Sequence, residues 1–215
     1  MHLPRFTPLQ LAVHAAVWLW LAFLVGLAVT NNLTVNPIQE MTLRTGKTAL
    51  VLLMLSLACT PAFTVTGYAP VLKVRRSLGV YAFLIALSHL AIFVGLDYGF
   101  DLSLLALEFT QKRYILAGLT AFLILLPLAL TSTKGWQRRL KKGWKTLHRF
   151  VYLAGVFVIV HYIWLTKNHR GEPLVWAALL AALLILRLPP VRRSIVNWRR
   201  GRSSGAAGSP SAHEA

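Results

Sequence analysis

Long apolar runs, separated by short basic or mixed stretches, set the pattern of this chain. Six runs stand out, at about 9–29, 48–63, 78–96, 114–130, 148–165 and 174–188. Each approaches the ~20 residues that an α-helix needs to cross a hydrocarbon core. The first has no charged residue. It outlasts the ~7–15 apolar residues of a signal peptide and lacks a small-residue cleavage site, so it reads as a spanning helix. The second follows Lys47, whose stem can snorkel, and carries Pro61 near its end as a terminus or kink. The sixth is short and stops at Arg187 and Pro189–Pro190. Between the fourth and fifth runs, Trp136, Leu140, Trp144 and Leu147 recur at helical spacing among arginines and lysines. That spacing predicts an interfacial helix leading into span five. The stretch from Leu102 to Phe109 is too short to span, and residues 201–215, small and polar, read as a disordered tail behind a single membrane domain over 1–200. No internal repeat, phosphate-binding loop or dinucleotide fingerprint is evident.

Composition agrees with the pattern. Of the 215 residues, 56% are hydrophobic and 13% charged, and the mean hydropathy is +0.60. The fold class expected is an all-α integral membrane protein, a six-transmembrane-helix bundle. The net charge of +17 would suit nucleic acid, but its residues lie between and after the apolar runs. Six spans place seventeen of the 23 basic residues on the side of the termini and six on the other, which also receives Glu40, Asp97, Asp101, Glu108 and Glu172. Both termini are therefore expected in the cytoplasm, the partner is the bilayer, and no nucleic acid is implied. The one cysteine, Cys59, excludes an intramolecular disulfide and a cysteine-based zinc or iron–sulfur centre; it reads as a packing residue.

Candidate chemistry centres on Trp144–Trp164, an apolar run with His148 and His161 thirteen residues apart. That interval is about 20 Å of helix. His89 lies midway along span three. Membrane imidazoles face the protein interior and need partners, so each is either a hydrogen-bonded interior histidine or a ligand. Spans three and five both run outward, and His89 and His161 reach the same outer depth. Two neutral imidazoles from different helices suit the axial positions of a b-type haem, and no CxxCH is present for covalent attachment. At the inner level His148 faces Arg76, thirteen residues before His89. Arginine binds a haem propionate better than it binds iron, and His14 is a further candidate there. Thirteen helical residues turn through roughly 220°, so His148 and His161 share a face only if the helix bends. Ser88 and Tyr162 are candidates for hydrogen bonding around the centre. The basic link (Arg138, Arg139, Lys141, Lys142) serves either topology and anchoring or the docking of an anionic cofactor or acidic donor.

These residues resemble the ferric-reductase-like transmembrane family. Within it they resemble the haem-binding membrane subunits of bacterial periplasmic protein-methionine-sulfoxide reductase systems. The resemblance rests on TLRTGKTAL at 42–50, RRSLGV at 75–80, SHL around His89, TSTKGW and LKKGWKTLHRFVYL between Thr131 and Leu153, and HYIW at 161–164. It implies a ferric-reductase-like haem-binding core with one or two haems b, His89 and His161 as axial ligands and His148 as the ligand of an inner haem. It also implies bound FMN and an inner-membrane location. Electrons would come from membrane quinol or a cytoplasmic flavin reductase and pass to a periplasmic molybdopterin-containing methionine sulfoxide reductase catalytic subunit. The chain would then be a non-catalytic electron-transfer subunit. Two other classes stand beside this reading: a histidine-based transporter or proton relay, against which the lack of acids within the spans counts, and a passive anchor without haem.

Overall fold

The computed structural model describes residues 7–30, 33–166 and 171–206, and every element among them is helical. In order they are α1 (Pro8–Val29), α2 (Pro37–Thr66), α3 (Pro70–Ala91), α4 (Leu102–Gln111), α5 (Arg113–Leu130), α6 (Lys134–Leu147), α7 (Phe150–Leu165), α8 (Gly171–Ile185) and α9 (Pro189–Ala206). A π-helical turn, Ile92–Asp97, prolongs α3. By length and apolar character four helices can cross a membrane, or six if α6–α7, bent by 51°, and α8–α9, bent by 73°, each count as one span. The expected all-α membrane bundle is the architecture found.

Start and stop signals account for most boundaries. Thr7 caps α1 in a reciprocal box with Gln10, and Pro8 fills the first helical position. Asn36 caps α2 by accepting from the Gln39 N–H, Pro37 takes the first helical position, and Gly67, at φ 76°, ends the helix. This helix of 30 residues spans about 45 Å and begins eleven residues before the apolar run. Backbone hydrogen bonds are satisfied inside a helix whether lipid or water surrounds it, so the helix continues beyond the apolar stretch. For the same reason α3 starts at Pro70 rather than near Leu78. Pro189–Pro190 does stop α8, yet Pro189 is also the first residue of α9, an element the apolar pattern does not reveal. The expected tail from 201 is helical to Ala206, and the rest of it lies outside the described residues.

The core lies where α2, α3, α7 and α8 meet. Leu53, Met54 and Leu57 of α2, Ala82 and Ile85 of α3, Ala154 of α7 and Leu180 of α8 are all buried. Small residues permit close approach, as expected where dispersion rather than water drives helix association. A Cβ at Gly155 would sit 3.4 Å from Leu180 and 3.7 Å from Leu57. Helix α1 packs on α3 but buries only Val17 and Leu24, while Trp18 and Leu19 face outward.

Charge divides the bundle into two ends. Every acid among the described residues lies at the end where α2 starts. Glu40 pairs with Arg44, Glu172 with Lys47 at 2.6 Å and Glu108 with Lys112, while Asp101 caps α4. The Glu108 carboxylate holds the Lys112 ammonium above the ordinary lysine pKa. At the opposite end α6, α9 and the junctions beside them carry arginine and lysine.

Candidate functional site

His89 and His161 meet. Their ring centroids are 6.3 Å apart and their planes are near perpendicular, at 85°. His89 Nδ1 donates to the Thr42 carbonyl at 2.9 Å, and His161 Nδ1 donates to the Tyr114 carbonyl at 2.7 Å. A carbonyl can only accept, so both rings carry their proton on Nδ1 and keep the Nε2 lone pair for another use. Two imidazoles that each place a nitrogen ~2 Å from one metal ion have centroids about 6 Å apart. Among the described residues no three of His, Cys, Asp or Glu cluster as a metal site. A bare zinc-type ion takes three or four protein ligands, whereas an iron that brings its own macrocycle needs only two axial ones. The pair thus fits haem.

Each ring is held in the same way. A Cβ at Gly46 would lie 3.0 Å from His89 Cε1, and one at Gly118 would lie 2.7 Å from His161 Nδ1. In both cases the accepting carbonyl stands one helical turn before the glycine, and the bare backbone lets the imidazole reach that carbonyl's second lone pair. Thr42, Gly46 and His89 recur as Tyr114, Gly118 and His161, each 72 residues further on. The structure therefore contains a repeat, α2 with α3 and α5 with α7, where the amino-acid pattern showed none. Neither Gly46 nor Gly118 stands out in the sequence, because a glycine in an apolar helix reads as ordinary packing. Their common interval to a histidine was the available signal.

The inner level is built differently. His148 caps the C-terminus of α6, at the 51° break before α7. Its ring stacks on Trp144 at 3.9 Å, its Nδ1 donates to the Trp144 carbonyl at 3.1 Å, and among the described residues its buried Nε2 has no hydrogen-bond partner. Trp144 is itself fixed by a bond to the Thr131 carbonyl. Arg76 is exposed. Its neighbour Arg75, turned by ~100° around the helix, reaches Thr60 at 3.3 Å and lies within electrostatic range of His148 and Arg187. Arg187 donates to the Tyr152 hydroxyl and to the Leu57 carbonyl. Pro61 has no N–H to give that carbonyl, so Arg187 replaces the missing helical bond.

The other candidates divide. His14 Nδ1 lies 2.6 Å from the Tyr81 hydroxyl, midway along α3. Ser88 donates to the Leu84 carbonyl of its own helix, and Tyr162 lies within electrostatic range of Glu172. Arg138, Arg139, Lys141 and Lys142 are exposed on α6. That helix is broken at Lys141 (φ 47°, ψ −119°), a kink its spacing does not announce. Leu140, Trp144 and Leu147 are half-buried, while Trp136 is exposed beneath Arg139. Cys59 is buried.

The family described as ferric reductase like transmembrane component matches residues 45–160. A relative from Xanthomonas axonopodis pv. citri is 41% identical over 165 residues, 77% of this chain and 76% of its own. One from Xanthomonas campestris pv. campestris (strain 8004) is 41% identical over 179 residues, covering 80% and 82%. A Rhodospirillum rubrum relative is 40% identical over 186 residues, covering 86% and 89%. All three bear the name protein-methionine-sulfoxide reductase heme-binding subunit MsrQ. No solved structure matches the chain.

Proposed function

The chain belongs to the ferric-reductase-like transmembrane family and, within it, to the MsrQ haem-binding subunits, and from that premise we propose that it is a haem b electron-transfer subunit of the bacterial inner membrane. It takes electrons from membrane quinol or a cytoplasmic flavin reductase, with FMN as a further cofactor. It delivers them to a periplasmic molybdopterin-containing methionine sulfoxide reductase subunit, supporting repair of oxidised periplasmic proteins. The observation that carries this reading is the pair of Nδ1-anchored imidazoles, His89 and His161, 6.3 Å apart between centroids. The positive-inside rule orients the acid-poor end, with both termini, towards the cytoplasm.

Bound between these helices, haem supplies reversible one-electron chemistry at iron. The polypeptide's share is to hold the imidazoles. The Thr42 and Tyr114 carbonyls fix both tautomers and add electron density to the rings. Gly46 and Gly118 clear the volume the rings occupy. The apolar walls of α2, α3, α5 and α7 would keep water from a haem held there, and His89 and His161 would occupy the positions through which oxygen reaches iron. At the inner level His148 is the side chain with an uncommitted nitrogen for a second haem, with Arg75 in place for a propionate. Catalysis of sulfoxide reduction belongs to the partner.

A reduced-minus-oxidised spectrum of purified protein tests the reading. A b-type spectrum is expected, abolished in His89→Ala and in His161→Ala while the protein still elutes as a folded species. Pigment-free protein that passes electrons to its partner, or a spectrum indifferent to both changes, overturns it.

A further inference from the structure

The proposed electron path leaves the elbow between α8 and α9 unassigned. It encloses a cavity of about 430 Å³ lined by Arg187, Arg192, Arg193, Asn197 and Arg200. Four guanidiniums converge there, and every described acid lies at the other end of the bundle, three of them already paired with Arg44, Lys47 and Lys112. Helix α9 is fixed in this position. Arg199 donates to the Phe63 and Thr64 carbonyls at the C-terminus of α2, and Arg187 is held by Tyr152 and Leu57. Arg192, Arg193, Asn197 and Arg200 are exposed, and they stand at the helical spacing that brings them to one cavity wall. Exposed Trp198 and half-buried Val196 add apolar surface to the same helix. A 73° turn out of an apolar helix into a basic amphipathic one places this cavity at headgroup depth.

We infer that the α8–α9 elbow is a binding site for the phosphate of an anionic phospholipid headgroup in the leaflet at the basic end of the bundle. Guanidinium forks match phosphate oxygens in pairs, and basic pockets beside transmembrane helices select anionic headgroups. Asn197 adds an amide donor. The acyl chains would continue along the apolar flank of α8, where Val175, Leu179 and Ile185 are exposed. A soluble phosphate would use the same arginines, but it would gain nothing from that flank.

The test uses the full chain purified in neutral detergent with its haem. Native mass spectrometry counts phosphatidylglycerol retained per chain after exchange into phosphatidylcholine, or into phosphatidylcholine mixed with phosphatidylglycerol. Wild type is expected to retain one phosphatidylglycerol in preference to phosphatidylcholine, with retention falling as salt rises. In Arg192→Gln/Arg193→Gln the affinity should fall roughly 10-fold, with haem spectrum and elution unchanged. Arg192→Lys/Arg193→Lys, which keeps the charge, should restore most of it. Equal retention of both lipids, or retention unaffected by the glutamine pair, overturns the site. Inorganic phosphate that binds the elbow, with phosphatidylglycerol giving no advantage, overturns the lipid assignment.

Discussion

The outer and inner histidine levels of this bundle teach by contrast. At the outer level two imidazoles from α3 and α7 are held by identical means, a carbonyl on Nδ1 and a glycine beneath the ring. At the inner level one imidazole stacks on Trp144 at a helix break, and arginines occupy the ground opposite. The two levels differ less in the presence of histidine than in what fixes the imidazole's other nitrogen. The outer pair is preorganised from both sides. The inner site is organised from one side only.

Removing the inner imidazole separates the levels most completely. If both carry haem, His148→Ala should take haem from two per chain to one by pyridine haemochrome assay, with the His89–His161 signal intact. Wild type holding a single haem that survives this change would confine haem chemistry to the outer level. Next in size, Gly118→Ala places a methyl 2.7 Å from His161 Nδ1 and must displace that ring. Overpacking of this kind costs about 1–3 kcal/mol. Haem content should fall and the midpoint potential should move, more than in Gly46→Ala, where the contact is 3.0 Å. Equal effects from the two glycines would deny that the halves differ in tightness.

Arg187→Met probes the packing of the inner level without touching the outer pair. It leaves the Leu57 carbonyl unsatisfied, a loss of about 1–3 kcal/mol. Thermal denaturation followed by intrinsic fluorescence should show a lower midpoint, with the outer haem spectrum unchanged. The smallest effect belongs to Lys47→Ala. The Lys47–Glu172 bridge, with both side chains about half exposed, contributes at most about 1 kcal/mol. A fall in midpoint as large as that of Arg187→Met would mean the bridge organises the outer level.

Much of the bundle was legible in the apolar runs, because a helix that must satisfy its backbone in lipid leaves a long uninterrupted signature. Where helices continue into water that signature stops, so the first turns of α2 and α3 and the whole of α9 were missed. Depth counting along spans three and five sufficed to pair His89 with His161. Counting failed at Arg76, since an interval of thirteen residues fixes height but not rotation, and one residue of rotation separates an exposed guanidinium from Arg75, which faces the cluster. The glycine cradles leave only one mark in the sequence, their common interval to a histidine. Their meaning depends on which ring lies above them, and that is a property of the packed pair of helices.

Pro61 gives this fold a temporal order. Its ring strips the Leu57 carbonyl of a helical donor, and the substitute donor, Arg187, lies 130 residues further along the chain. During synthesis α2 enters the membrane with one acceptor unanswered, and it stays so until the last apolar segment emerges. The knot that closes the bundle is therefore tied at the end of translation, and a product truncated before α8 would leave that acceptor without its side-chain donor.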